Sequence, residues 1–266
     1  MPKRAGWPIA TEGSIGMIRK SEILVLACML VGIAILASLG TWQVRRLAWK
    51  EDLIATVESR IASAPVPVEE ALGAAGKGGT EGALDYRPVV VVGKFVDTAP
   101  AFEFTTFKGQ SGWNLFNILE LGNPSGSVQR YAAVNRGFIP YEQRENWKSI
   151  APLPTGAQKI EGLLRQPPAG KPGSMMPDNE PQSGTFYWRD IAAMAALSGI
   201  NPQQLEGWYV DAGFPGKSPD GEYPVRGTTI VSFPNNHLQY AVTWYGLALA
   251  LFGVGSYFLY SRRKRG

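Results

Sequence analysis

Asn235-Asn236-His237-Leu238-Gln239-Tyr240 opens the last apolar run of the chain, residues 240–260. As a helix this run is about 30 Å long, the thickness of a bilayer core. Tyr240, Trp244, Tyr257 and Tyr260 stand where amphipathic rings meet headgroups. Arg262-Arg263-Lys264-Arg265 follow directly. A matching apolar run, residues 23–42, ends in Trp42, with Trp49 beyond it. The pair predicts two transmembrane helices with a large domain between them. Charged residues are 18% and hydrophobic residues 45% of the 266, which fits a folded domain with membrane segments.

The basic cluster after the second run predicts a cytoplasmic C-terminus, and two spans place both termini on one side. The organisation expected is a cytoplasmic segment 1–22, a helix 23–42, a periplasmic domain 43–239, a helix 240–260 and a basic tail 261–266. Ser38-Leu39-Gly40 could be cleaved as a signal site, but the apolar core is longer than the roughly 7–15 residues of a signal peptide, so an uncleaved anchor is expected. No Arg-rich, acid-free leader precedes the first run. That favours a bacterial inner membrane and a multi-pass protein.

Between the helices, residues 44–64 read as an amphipathic helix continuing from the membrane, with Leu47, Ile54, Val57 and Ile61 on one face. Residues 65–85 read as a flexible linker, glycine-rich from 72 to 82. Lys77 follows glycines as in a phosphate-binding loop, but Gly78 stands where Ser or Thr is needed. From residue 86 to 233 the pattern is of strands, at 89–93, 101–107, 113–121, 131–135, 159–164, 207–212 and 228–233. A helix over 191–197 interrupts them, with Asp190 as its N-cap and Gly199 closing it. The fold class expected is a membrane protein whose two helices flank an extracytoplasmic α+β domain, mainly antiparallel β and barrel- or sandwich-like.

Composition narrows the chemistry. One cysteine, Cys28, excludes an intramolecular disulfide and CxxC redox chemistry. One histidine, His237, excludes any site built from two within one copy. The net charge of +4 comes largely from clusters at membrane edges and does not signal nucleic acid. GxSxG and HExxH are absent. A Ser-Lys hydrolase stays open, since any such pair could meet in space. A cofactor needing one protein ligand suits His237, and haem, with four porphyrin nitrogens and an axial imidazole, is such a cofactor. Ala241, Trp244 and Ala248 share its helix face and could form a slot for a planar ligand. Two plainer readings stand beside it. The imidazole can rest among headgroups, and Ala241, Gly246, Ala248 and Gly253 can pack against Gly32 and Ala37.

Several motifs run along the chain. They are Gly40-Thr41-Trp42-Gln43 with Arg46 and Trp49-Lys50, then Tyr86-Arg87-Pro88-Val89 with Gly93 and Phe95. Val134-Asn135-Arg136-Gly137-Phe138-Ile139-Pro140 follows, then Pro177-Asp178-Asn179-Glu180-Pro181 with Tyr187-Trp188-Arg189-Asp190. Last comes Pro234-Asn235-Asn236-His237-Leu238-Gln239-Tyr240-Ala241. In type and order, over nearly the whole chain, these motifs resemble the surfeit locus protein family, the assembly factors of haem-copper (aa3-type) cytochrome c oxidase. The resemblance implies a bacterial member that is no enzyme, binds haem a transiently and helps insert it into the oxidase catalytic subunit. Its partners would be that subunit, haem a synthase and the bilayer. It implies His237 as axial ligand, the only protein contact to a metal. Trp42, Gln43, Gln239 and Tyr240 would line the site or contact the oxidase, with Trp244 below them, and Arg46 or Arg45 would pair with propionates or else rest among lipid headgroups. The alternative is a haem-free scaffold holding an oxidase assembly intermediate.

Overall fold

The computed structural model describes residues 20–75, 82, 84–122, 128–217, 222–229 and 234–265. It divides into two compact units, one of Met1–Leu53 with Pro234–Gly266 and one of Ile54–Phe233. Expectations for residues 1–19, the glycine-rich 76–81 and the strand end 230–233 lie outside the described residues. Thr228 and Thr229, the start of that expected strand, have no regular secondary structure.

Two long helices carry the apolar runs. Helix α1 spans Lys20–Ile61 without a break. The expected amphipathic helix 44–64 is its continuation. Gly40 and Thr41 do not interrupt it: the helix runs on through both, and the Thr41 hydroxyl is satisfied by donating to the Ala37 carbonyl at 2.8 Å. Helix α5 spans His237–Arg265. Both are long and apolar enough to cross a membrane, and little of either is buried within the protein.

The other unit is a mixed α+β domain. Its strands are β1 (Val66–Pro67), β2 (Arg87–Phe95), β3 (Ala101–Phe107), β4 (Gln110–Leu121), β5 (Tyr131–Pro140), β6 (Ala157–Arg165), β7 (Thr185–Phe186) and β8 (Leu205–Ala212). They form one sheet in the order β1-β2-β6-β8-β5-β4-β3-β7, and β4 also pairs with β2. Most of the longer pairings are antiparallel, while β5 and β8 run parallel. Lys108 and Gly109, both at positive φ, form the two-residue turn that joins β3 to β4.

The stretch expected as a linker contains regular secondary structure among its described residues. It holds β1 and then helix α2 (Val68–Ala75). Glycine composition suggested a coil, but Val68 and Ala71 are buried, three residues apart on one helical face, and Glu69 and Glu70 favour the helix N-terminus. Helix α3 is a single turn, Trp147–Ile150. Helix α4 (Ile191–Leu197) is capped by Asp190, whose carboxylate accepts from the Ala193 amide at 3.0 Å, and Gly199 beyond it has φ +73°.

Strand β8 shows how the sheet is covered on both faces. Trp208 and Val210 pack into a cluster with Val68, Ala71, Val89, Val91, Leu119 and Leu164. Tyr209, pointing the other way, packs with Phe116, Ile118, Phe186, Ile191 and Met194. The period of two along the strand thus sends alternate residues to α2 and to α4.

Candidate functional site

Helix α5 begins at His237, and the Asn236 carbonyl closes its first turn by accepting from the Tyr240 amide at 3.2 Å. The half-buried imidazole faces α1. Its Nδ1 lies 2.7 Å from Oε1 of the buried Gln43. An amide oxygen only accepts, so Nδ1–H is the donor and the ring lone pair is on Nε2. Among the described residues Nε2 has no hydrogen-bond partner.

The two helices run antiparallel and close below this pair. Gly40 lies against the Tyr245 ring, Gly32 against Leu251, and Gly255 against Met29. A Cβ on Gly40 would come within 2.9 Å of the Tyr245 ring. The Thr41 and Tyr245 hydroxyls are hydrogen-bonded at 3.0 Å. Ala241 is 2% exposed and lies one turn after His237 and one turn before Tyr245, on the face turned to α1. Ala241 and Ala248 are therefore used in helix packing and do not wall an open slot. Gly246 and Gly253 face open space, so packing runs through Leu251 and Gly255 instead.

The other expected site residues are more peripheral. Trp42, Gln239 and Tyr240 are exposed, and Trp244 is half-buried. Arg45 and Arg46 are exposed, and the Arg46 guanidinium sits 3.8 Å over the Trp49 ring. The structure thus joins His237 to Gln43. It adds Thr41 and Tyr245, which sequence reasoning missed. The signal available for Tyr245 was its position two turns below His237.

The sheet domain holds a buried polar network. Asp211, 2% exposed, accepts from Asn135 Nδ2 at 2.8 Å and from the Thr229 hydroxyl at 2.9 Å. Arg165 at 3.5 Å and Arg189 at 3.7 Å pair with the same carboxylate. Arg189 also donates to Glu103 at 2.9 Å and to the Tyr209 hydroxyl at 2.5 Å. Burial alone would depress the Arg189 pKa, but Asp211, Glu103 and Tyr209 outweigh it and raise it. The Tyr209 phenol is pushed above its usual 10.0 by burial, with Asp211 adding to the shift. Arg136 donates to the carbonyls of Ala151 and Pro152, and burial, then Arg226, lowers it to about 10.

A cavity of about 200 Å³ beside this network is lined by Tyr86, Thr105, Thr106, Asn114, Arg165 and Arg189 among others. It is polar and smaller than the roughly 300–1,000 Å³ of usual cofactor pockets. Among the described residues no cluster of three or more His, Cys, Asp or Glu could hold a metal ion. A donor set of one imidazole therefore fits a group that brings its own equatorial ligands, as haem does.

Several motif residues serve the fold. Gly137 has φ +128°, and its amide donates to Asn135 Oδ1 at 3.0 Å. Asn179 Oδ1 accepts from the amides of Tyr187 and Trp188 at 2.8 and 3.2 Å.

The sequence matches the SURF1 family over residues 30–249. It is 31% identical to Surfeit locus protein 1 of Homo sapiens over 284 residues, covering 100% of this chain and 85% of that protein. The Mus musculus protein of the same name is 31% identical over 230 residues, with 80% and 68% covered. A SURF1-like protein of Monosiga brevicollis is 27% identical over 271 residues, with 97% and 95% covered. These relatives are eukaryotic, which corrects the expectation of a bacterial member. The placement in a bacterial inner membrane, with cytoplasmic termini and a periplasmic domain, falls with it. That placement rested on the composition of the N-terminal residues and on charge asymmetry. Charge asymmetry orients a span but does not identify the membrane.

Proposed function

The chain belongs to the SURF1 family, and from that premise we propose that it holds haem a as cargo through His237 and passes it to the catalytic subunit of cytochrome c oxidase. It is a cytochrome c oxidase assembly factor concerned with haem a handling, a chaperone and not an enzyme. The observation that carries the reading is the 2.7 Å contact between His237 Nδ1 and Gln43 Oε1, which leaves Nε2 as the imidazole nitrogen without a partner among the described residues. A protein that must release its cargo is served by one axial ligand better than by two.

Around that ligand, Trp42, Gln239, Tyr240 and Trp244 form the apolar and hydrogen-bonding border of the site. Arg46, held over Trp49, supplies a guanidinium for a propionate, with Arg45 beside it. The oxidase catalytic subunit and haem a synthase are the partners on either side of the handover, within the bilayer. We also read the sheet as barrel-like, because β4 pairs with β2 and returns the series β2, β6, β8, β5, β4 to its start.

Titration of the detergent-solubilised apoprotein with haem a tests the reading. Wild type is expected to give a saturable Soret shift with one haem per chain, and His237→Ala to lose it. Equal titrations for both proteins would remove His237 as the ligand. No binding by either would favour a haem-free scaffold.

A further inference from the structure

We infer that Gln43 is a positioning residue whose carboxamide oxygen fixes the His237 ring in the Nδ1–H form, so that Nε2 alone is offered to the iron. This deepens the reading of His237 as axial ligand and rests on it.

A free imidazole exchanges its proton between two nitrogens, and either can end up as donor. Here one of them is committed. Gln43 is 9% exposed, so water does not readily replace it as the acceptor. Its Oε1 lies 2.7 Å from Nδ1, a short contact for an N–H···O bond. The direction of the amide decides the chemistry. With its oxygen toward the ring, the lone pair is on Nε2. With its nitrogen toward the ring, the proton would be on Nε2 and the outer edge could not ligate.

The geometry is held from both helices. Gln43 is on α1 and His237 on α5, 194 residues apart. Below them the Thr41–Tyr245 hydrogen bond at 3.0 Å and the close approach of Gly40 to the Tyr245 ring fix the register of the pair. Such partners of metal-ligating histidines orient the ring and raise its basicity, and losing one typically costs about 10–100-fold in affinity. The site therefore depends on the register of the two helices, and a slip of α1 along α5 would loosen the cargo.

His237 is the only histidine, so the full-length apoprotein labelled with 15N-histidine gives the signals of a single imidazole. The expected spectrum has a protonated, pyrrole-type Nδ1 and a pyridine-type Nε2. Gln43→Met, which removes the acceptor at similar length, is expected to move the proton toward Nε2 and to weaken haem a binding about 10–100-fold. Gln43→Glu, which restores an acceptor, is expected to recover both. A wild-type apoprotein with its proton on Nε2 overturns the assignment of Gln43 without any haem measurement. So does a Gln43→Met protein with unchanged tautomer and affinity. Haem binding unaltered by His237→Ala overturns the ligand reading instead, and leaves the tautomer result standing.

Discussion

Replacing Asp211 with alanine takes one carboxylate from four partners. Asn135 and Thr229 lose an acceptor at 2.8 and 2.9 Å, and Arg165 and Arg189 lose an ion pair at 3.5 and 3.7 Å. Breaking a buried pair by removing one partner costs about 3–5 kcal/mol. The cost here lies at the low end. Arg165 keeps Asp85 at 3.4 Å and Arg189 keeps Glu103 at 2.9 Å, so neither charge is left alone. Asn135 Nδ2 is then buried without an acceptor, which adds about 1–3 kcal/mol. About 4–6 kcal/mol in all is a large share of the roughly 5–15 kcal/mol of a typical domain. At about 2–4 °C per kcal/mol for a unit of this size, Tm falls by roughly 8–24 °C. Asp211→Asn keeps an acceptor for Asn135 and is expected to lose about half as much. The assay is thermal unfolding of the full chain in detergent, followed by the fluorescence of tryptophans such as Trp208, which is buried on β8. A fall of under about 3 °C for Asp211→Ala would refute the view that this network holds the sheet together.

Two further predictions concern the same domain. Gly137→Ala combines a φ of +128° with a Cβ placed 2.3 Å from the Val225 carbonyl oxygen, so it is expected to prevent folded protein from accumulating. Wild-type expression with an unchanged melt would contradict that. The Tyr209 phenol has a raised pKa in the folded state, so its share of stability is complete below pH 10.0 and declines as pH rises above that value. Tyr209→Phe should therefore flatten the alkaline limb of the stability–pH curve, and denaturant melts from pH 9 to 11 check it.

The longer strands and α4 were legible because their signals are local, whereas the two-residue β1 and β7 were not read and the strand expected from residue 228 has no regular structure at Thr228 and Thr229. Val89 to Val92 are β-branched in succession, and Asp190 stands one residue before an apolar helical run. Helix α2 was hidden by the glycine-rich stretch it runs into, since what holds it is burial of Val68 and Ala71 against the sheet. The continuity of α1 was legible as well, because Leu47, Ile54, Val57 and Ile61 keep a helical spacing beyond the apolar run, and the helix runs on to Ile61. His237 was legible as a lone imidazole at the edge of an apolar run. Its contact with Gln43 was not, because 194 residues separate them and only the packing of α1 on α5 brings them together. The network of Glu103, Arg189, Asp211 and Arg165 was invisible for the same reason. Each residue looks like a surface charge until the sheet register places them side by side.

The central claim is that His237 carries haem a. Its most direct test is the optical spectrum of the full chain purified in detergent from cells that make haem a, recorded beside His237→Ala. The account predicts about one haem a per chain in the wild type and loss of that haem in the variant. Equal haem in both proteins would contradict it.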